Sequence, residues 1–193
     1  MAFPGKTSPE AILSAAIALL EREGGEALTL RRIAALLGVV PNALYRYYAS
    51  REALIAAIAD ETARRLLAAI DAGLDESKGA NAAGAEARVR TLINIYVAFS
   101  NAHPDLYQTL VGDKSGGEAA GLPQPLARER LWLKVIDVIE PLAGAQNAPL
   151  AAVTLWGLLH GMWTLRRANL FGGDMPAEIG AFAVDALLKG LAP

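Results

Sequence analysis

The sequence predicts an all-α protein, with a small N-terminal unit of three helices followed by a larger helical bundle, about nine helices in all. Hydrophobic residues make up 53% of the 193-residue chain, which is enough to fill a sizeable core. Apolar residues recur at helical spacing, alanine is abundant, and no stretch alternates between polar and apolar residues as a half-buried strand does. We place a first domain over residues 1–55 and a second over residues 56–193.

The first helix is predicted to begin at Ser8-Pro9 and to end at Gly24. The Ser8 hydroxyl can accept a hydrogen bond from an unpaired amide of the first turn, and proline is tolerated at the first helical position. Ile12 and Leu20 lie on one apolar side of this helix.

Two short helices follow, joined by a tight turn. Thr29 is a good cap for the first, and Gly38 ends it because glycine adopts the left-handed conformation of a sharp stop. Val39-Val40 turns the chain, Pro41 opens a third helix of about eight residues, and Ser50 caps the fourth. Two short helices with a glycine-containing turn form a helix-turn-helix, whose second helix enters the major groove of DNA.

The charge pattern of this segment fits contact with DNA. No Asp or Glu lies between Glu26 and Glu52, although the whole chain has a net charge of −2. The window contains Arg31, Arg32, Tyr45, Arg46, Tyr47, Tyr48 and Arg51. Cationic and phenolic side chains suit phosphate contacts. The alternative is an ordinary charged surface flanked by core aromatics.

A helical wheel of the third helix separates a buried face from an exposed one. Leu44 and Tyr48 point into the core, whereas Asn42, Ala43 and Arg46 point away from it. Asn suits adenine, Arg suits guanine and the Ala methyl suits the thymine methyl, so these three are the candidates for base contacts. Tyr45 and Tyr47 flank that face and are expected to hold phosphates. Pro41, the residue that opens the helix, is also a candidate for contact with DNA.

The remaining helices are predicted from periodicity and from breaks rich in glycine and proline. They cover about 50–72, 85–102, 105–111, 126–142, 148–170 and 176–191.

The N-terminal residues resemble the tetracycline-repressor (TetR) family of bacterial transcription regulators over roughly the first sixty residues. The resemblance is carried by Ile12-Leu13-Ser14-Ala15-Ala16, Gly24-Gly25, Leu28-Thr29-Leu30-Arg31-Arg32-Ile33-Ala34, Leu37-Gly38-Val39, Leu44-Tyr45-Arg46-Tyr47-Tyr48 and Ser50-Arg51-Glu52-Ala53-Leu54. It implies that Arg31 lies where some relatives touch a base, and that Thr29, Arg32 and Arg51 contact the DNA backbone. The chain departs from the family pattern at Val40, where a polar residue is common.

The C-terminal half resembles a subgroup of the family with a Trp/His/Gly signature. The matching residues are Trp156-Gly157-Leu158-Leu159-His160-Gly161 and His103-Pro104-Asp105-Leu106-Tyr107. Trp156, His160 and Trp163 share one helix face, which can be a wall of a ligand pocket or an aromatic core with a structural histidine. The same two interpretations apply to the further pocket candidates Tyr96, Phe99, Tyr107 and Trp132.

We expect a homodimer on a near-palindromic double-stranded DNA operator, because one short helix reads only a few base pairs. The last two helices supply the most apolar surface outside the first domain. The interface candidates are Gly157, Gly161, Ile179, Phe182, Val184 and Leu187.

The residues disfavour an enzyme. The chain has no cysteine and only two histidines, His103 and His160, and we expect no catalytic residue, no metal site and no cofactor. The favoured function is a repressor released by a small hydrophobic effector; the alternative is a non-catalytic α-helical binding protein with a vestigial helix-turn-helix.

The expected location is the cytoplasm, because the N-terminus lacks the apolar core of a signal peptide. The uncharged stretch from Pro149 to Leu165 is at the short end for a membrane span, and we favour a bundle helix and no membrane.

Overall fold

The computed structural model of the chain describes residues 7–76, 82–112, 126–170 and 177–191. Over these residues it contains nine α-helices, one short 3-10 turn and no strand, which confirms the all-α prediction. The helices are α1 (Pro9–Glu23), α2 (Leu30–Leu37), α3 (Asn42–Tyr45), α4 (Arg51–Glu76), α5 (Ala82–Ala102), α6 (Pro104–Gly112), α7 (Ala127–Ala143), α8 (Ala148–Arg167) and α9 (Ala177–Leu191).

The helix ends predicted from capping residues are confirmed by their hydrogen bonds. Ser8 Oγ accepts from the Ala11 amide at 3.1 Å, and Thr29 Oγ1 accepts from the Arg32 amide at 3.3 Å. Gly38 ends α2 in the left-handed conformation, with φ 67° and ψ 35°. These local signals set where α1 and α2 begin and where the turn of the helix-turn-helix occurs.

Helix α3 is shorter than the predicted eight residues. It begins after Pro41, which caps it without a side-chain hydrogen bond. The Tyr47 and Tyr48 amides both donate to the Leu44 carbonyl, at 2.9 and 3.0 Å, so the chain tightens into a turn directly after Tyr45. A helix this short depends on its neighbours for its position.

The chain divides into two compact units. One comprises residues 1–66 and 99–129, and the other comprises residues 67–98 and 130–193. The core of the first unit is formed by α1 to α4 and includes Ile12, Ile33, Leu44 and Ile58, all fully buried. Leu106 of α6 belongs to the same core. The N-terminal helices therefore pack with α6.

The core of the second unit is formed by the end of α4 and by α5, α7 and α8, with Ile70, Val89, Ile139 and Ala152 buried. Helices α4 and α5 approach closely here, since a Cβ on Gly73 would lie 2.5 Å from Ile95 Cδ1.

Helix α8 has the length and composition of a membrane span, with a mean hydropathy of 1.2 in its most apolar window. Such a helix is weak evidence for a membrane, because the apolar helix of a soluble bundle has the same composition.

Candidate nucleic-acid interface

The structure brings the residues expected to contact DNA together in the helix-turn-helix. Leu44 and Tyr48 are buried, as the helical wheel predicts, and Ala43 is half-buried against the core. The other candidates are exposed, namely Thr29, Arg31, Arg32, Pro41, Asn42, Tyr45, Arg46, Tyr47 and Arg51.

Arg46 lies over a neighbouring aromatic ring. Its guanidinium carbon is 5.9 Å from the centroid of the Tyr47 ring, at the outer limit of a cation–π contact. Because the contact is long and exposed, it orients Arg46 weakly and leaves its donors available to a base edge.

Arg32 is engaged by a carboxylate of α1. Its guanidinium donates to Glu23 Oε2, while Arg22 donates to Glu23 Oε1 at 2.7 Å. Hydrogen bonds from Arg22, and then from Arg32, lower the pKa of Glu23. A phosphate that draws Arg32 away must therefore compete with Glu23.

Three side chains at the α3–α4 junction donate hydrogen bonds to backbone carbonyls at the start of α1 and in the segment between α1 and α2. The Tyr47 hydroxyl donates to the Thr7 carbonyl at 3.0 Å, and the Tyr48 hydroxyl donates to the Pro9 carbonyl at 3.2 Å. Arg51 Nε and Nη2 donate to the carbonyls of Leu28 and Gly25, at 2.9 and 3.0 Å. We call Tyr47, Tyr48 and Arg51 the clamp.

The clamp fixes the chain that follows α3 to the start of α1 and to the segment between α1 and α2. Burial, followed by the nearby charge of Glu10, raises the pKa of Tyr48, so the phenol remains protonated as a donor. Sequence reasoning missed the clamp because it assigned Tyr47 and Arg51 to DNA phosphates. No local pattern distinguishes these two uses, because the carbonyls that accept from the clamp lie 23 to 40 positions earlier in the chain.

Two further polar contacts connect the N-terminal helices to α6 and to the start of α7. His103 Nδ1 lies 2.8 Å from Glu21 Oε1 of α1, and the His103 ring stacks at a tilt on Phe99, with centroids 5.1 Å apart. Asp60 of α4 is 3% exposed, and its Oδ1 accepts from the Ala127 amide at 2.6 Å. Asp60 therefore caps α7, a role that no local pattern indicated.

The seven candidate ligand residues are divided between the two units. Phe99 and Tyr107 belong to the first unit, where Tyr107 is fully buried. The second unit contains Tyr96, Trp132, Trp156, His160 and Trp163. There the Tyr96 and Trp156 rings meet edge to face at 5.8 Å, and the His160 and Trp163 rings stack at 5.9 Å.

A cavity of about 630 Å³ lies within the second unit, among α5, α8 and α9. Its lining is mainly apolar, with three polar side chains. The lining residues are Arg90, Ile93, Asn94, Val97, Ala98, Met162, Arg166, Gly180, Ala181 and Val184. None of the seven candidate ligand residues lines it. Arg90 is held by Asp185 and Glu86, at 2.7 Å each, and these bonds raise its pKa.

Four of the candidate dimer residues, Gly157, Gly161, Ile179 and Phe182, lie on a surface of α8 and α9 that has several exposed apolar side chains. Phe182 is 74% exposed and Leu150 is 70% exposed, while Val153 and Ile179 are exposed to a smaller degree. A Cβ added at Gly157 or Gly161 would have no neighbour within 4 Å, so this stripe of α8 is open. Val184 is buried and Leu187 is half-buried.

The chain matches two models of one family. Residues 12–58 match the model of the bacterial regulatory proteins of the tetR family. Residues 89–190 match the model of a tetracyclin repressor-like C-terminal domain.

Curated relatives and a solved structure show the same likeness. The nucleoid occlusion factor SlmA of Idiomarina loihiensis is 29% identical over 118 residues, which are 61% of this chain and 58% of that protein. This chain therefore spans less than two thirds of that relative. The uncharacterized HTH-type transcriptional regulator Rv0681 of Mycobacterium tuberculosis is 28% identical over 172 residues, 88% of this chain and 75% of that protein.

The structure of BioQ with its double-stranded DNA operator has the same fold, with a TM-score of 0.68 and 18% identity, and covers 96% of this chain and 98% of BioQ. The two family models cover both halves of the chain and agree with the exposed helix-turn-helix. The chain belongs to the tetR family of bacterial regulatory proteins.

Proposed function

We propose that the protein is a dimeric repressor that binds a near-palindromic operator through α2 and α3 and is released by a small hydrophobic effector. The observation that carries the proposal is the exposed surface of the helix-turn-helix. Arg31, Asn42, Tyr45 and Arg46 are exposed there, and no acidic residue lies between Glu26 and Glu52. The chain is otherwise slightly acidic, so this surface is a local one suited to phosphate.

Within this surface we assign the base contacts to Asn42 and Arg46. Asn42 can pair with the two major-groove atoms of adenine, and Arg46 with those of guanine. Arg31 is a further candidate for a base contact. Thr29 and Arg32 contact the DNA backbone, Arg32 in competition with Glu23.

The number of hydrogen-bond donors distinguishes Tyr45, the last residue of α3, from Tyr47, which follows the helix. A phosphate oxygen only accepts, and a tyrosine has a single hydroxyl hydrogen to donate. Tyr47 uses that hydrogen on the Thr7 carbonyl, so it can bind a phosphate only by giving up this bond. We therefore assign the phosphate contact to Tyr45 and a positioning role to Tyr47. Arg51 has five N–H donors and uses two in the clamp, and we assign it to positioning first.

A selection of genomic fragments with the purified protein tests operator binding. We expect the protein to enrich one near-palindromic sequence, and Asn42→Ala to relax the preference at one position of each half-site. Failure to enrich any sequence would support the alternative, an α-helical binding protein with a vestigial helix-turn-helix.

The dimer is proposed from the apolar surface of α8 and α9. A two-fold axis places the same side chains on both sides of an interface, so each exposed apolar residue is buried twice. Phe182 and Leu150 are the most exposed large apolar residues of this surface. Full burial of such a side chain contributes about 1.5–3 kcal/mol. The open glycine stripe at Gly157 and Gly161 lets a second helix approach closely.

We place the effector in the second unit. The half-buried Trp156, His160 and Trp163, together with Tyr96, support the aromatic pocket wall expected from their shared helix face. The cavity among α5, α8 and α9 offers an alternative position whose lining is mainly apolar. We further propose a DNA-binding domain over 1–55 and a ligand-binding and dimerisation domain over 56–193. We propose that the protein acts in the cytoplasm.

Control requires that the effector binds one conformation better than the other, because equal affinity for both would shift nothing. Helix α4 is the proposed lever, since it runs without a break from Arg51, next to the helix-turn-helix, to Glu76. The effector is proposed to separate the recognition helices of the dimer and thereby to lower operator affinity.

A ligand screen by thermal shift, followed by operator binding with each hit, tests this control. Val97→Trp places a bulky ring in the cavity, whereas Trp156→Ala with His160→Ala removes the aromatic wall. A hit lost in only one of these variants identifies its site. A hit that stabilises the protein but leaves operator affinity unchanged would contradict the coupling.

A further inference from the structure

Val40 is the most exposed large apolar side chain among the described residues of the first unit. It is 69% exposed, compared with 52% for Tyr45, 51% for Leu36 and 39% for Tyr47. The two tyrosines have hydroxyl groups that water can solvate, whereas valine has no polar side-chain atom. Covering this side chain with an apolar group of a partner is therefore favourable.

The backbone at Val40 is fixed. The left-handed Gly38 sets the turn before it, and the Val40 carbonyl accepts from the Ala43 amide at 2.9 Å, within the first turn of α3. Valine is branched at Cβ, so few side-chain rotamers are open to it. The two methyl groups are therefore presented in a defined direction, directly beside Pro41 and Asn42 at the start of the recognition helix.

The chemistry of this position indicates what covers it. The major groove of DNA presents one apolar group, the C5 methyl of thymine, and apolar side chains read it by contact. Ala43 is the other candidate for that contact, but it is half-buried against the core of the unit. Val40 has a larger apolar side chain than Ala43 and is more accessible.

We propose that Val40 is a specificity-determining residue that reads the methyl group of one thymine in each operator half-site. This inference rests on the proposed operator binding by α2 and α3. It adds a position that the polar candidates do not read, since Asn42 and Arg46 form hydrogen bonds whereas Val40 makes an apolar contact.

The test replaces each thymine of the selected duplex, in turn, by deoxyuridine, which lacks only the methyl group. Wild-type protein is expected to lose about fourfold in affinity at one thymine of each half-site, the loss that one buried methyl-sized group predicts. Val40→Ser removes both methyl groups from the side chain and is expected to bind the thymine and deoxyuridine duplexes equally. Leu133→Ser, at an exposed leucine of α7, is the matched control and is expected to retain the fourfold difference.

The outcomes separate this inference from the proposed function. A protein that binds the duplex but is indifferent to every thymine methyl would overturn the role of Val40 and leave operator binding intact. A methyl effect that is equally large in Val40→Ser would assign the contact to another side chain, such as Ala43, and would also overturn it. Failure to bind any duplex would contradict the proposed function itself.

Discussion

Arg51→Met is expected to destabilise the N-terminal unit through the clamp. The substitution removes the bonds to the carbonyls of Leu28 and Gly25 and keeps a long apolar stem. The Gly25 carbonyl also accepts from the Leu28 amide at 3.2 Å and so remains paired, whereas the Leu28 carbonyl loses Arg51. A hydrogen bond from a charged donor contributes about 1.5–3 kcal/mol, and the exposure of Arg51 reduces this to about 1–2 kcal/mol for the pair.

The assay is urea unfolding combined with hydrogen exchange of the amides near Leu28. All three tryptophans lie in the second unit, so tryptophan fluorescence alone would not report on this site. Arg65→Met is the matched control, because Arg65 is an exposed arginine that bonds Glu61 of its own helix at 3.0 Å. It is expected to cost less than about 1 kcal/mol.

Operator binding at several salt concentrations separates positioning from phosphate contact. A positioning role predicts weaker binding with an unchanged slope of log affinity against log salt. Unchanged stability together with a slope reduced by about one would show that Arg51 neutralises a phosphate, and it would refute the clamp as its main role.

Three further outcomes follow from the structure. Tyr45→Phe is expected to weaken binding to all sequences about equally in a gel-shift titration, whereas Tyr47→Phe should increase hydrogen exchange at the start of α1; the reverse pattern would exchange their roles. Asp60→Ala leaves the Ala127 amide without its carboxylate and is expected to cost about 1–3 kcal/mol in urea unfolding, whereas Asp60→Asn keeps an acceptor and should cost less. Phe182→Arg is expected to give monomers in sedimentation at micromolar concentration, and an intact dimer would contradict the α8–α9 interface.

The parts of the fold that the sequence predicts are those governed by local physics. Ser8 and Thr29 cap helices because a hydroxyl three residues before an amide can reach it, and Gly38 stops α2 because it adopts a positive φ. The burial of Leu44 follows from helical periodicity. Tyr48 is buried as that periodicity predicts, although it lies beyond the end of α3.

The parts that the sequence does not predict depend on contacts between distant residues. The clamp joins Tyr47 to Thr7 and Arg51 to Leu28, and a hydroxyl or guanidinium looks the same in sequence whether it faces DNA or a carbonyl. Asp60 and Ala127 are 67 positions apart, so neither residue signals the other. The cavity among α5, α8 and α9 likewise depends on helix packing, which periodicity alone does not set.

DNA reading by the exposed surface at α3 is tested by the affinity of Arg46→Ala for the selected duplex, measured beside Arg65→Ala. Both variants remove one exposed arginine from the first unit, so they change the net charge equally. We expect Arg46→Ala to lose on the order of 1–3 kcal/mol and to relax the preference at one base pair, and Arg65→Ala to bind as the wild type does. Wild-type affinity and preference in Arg46→Ala, or an equal loss in both variants, would contradict the claim.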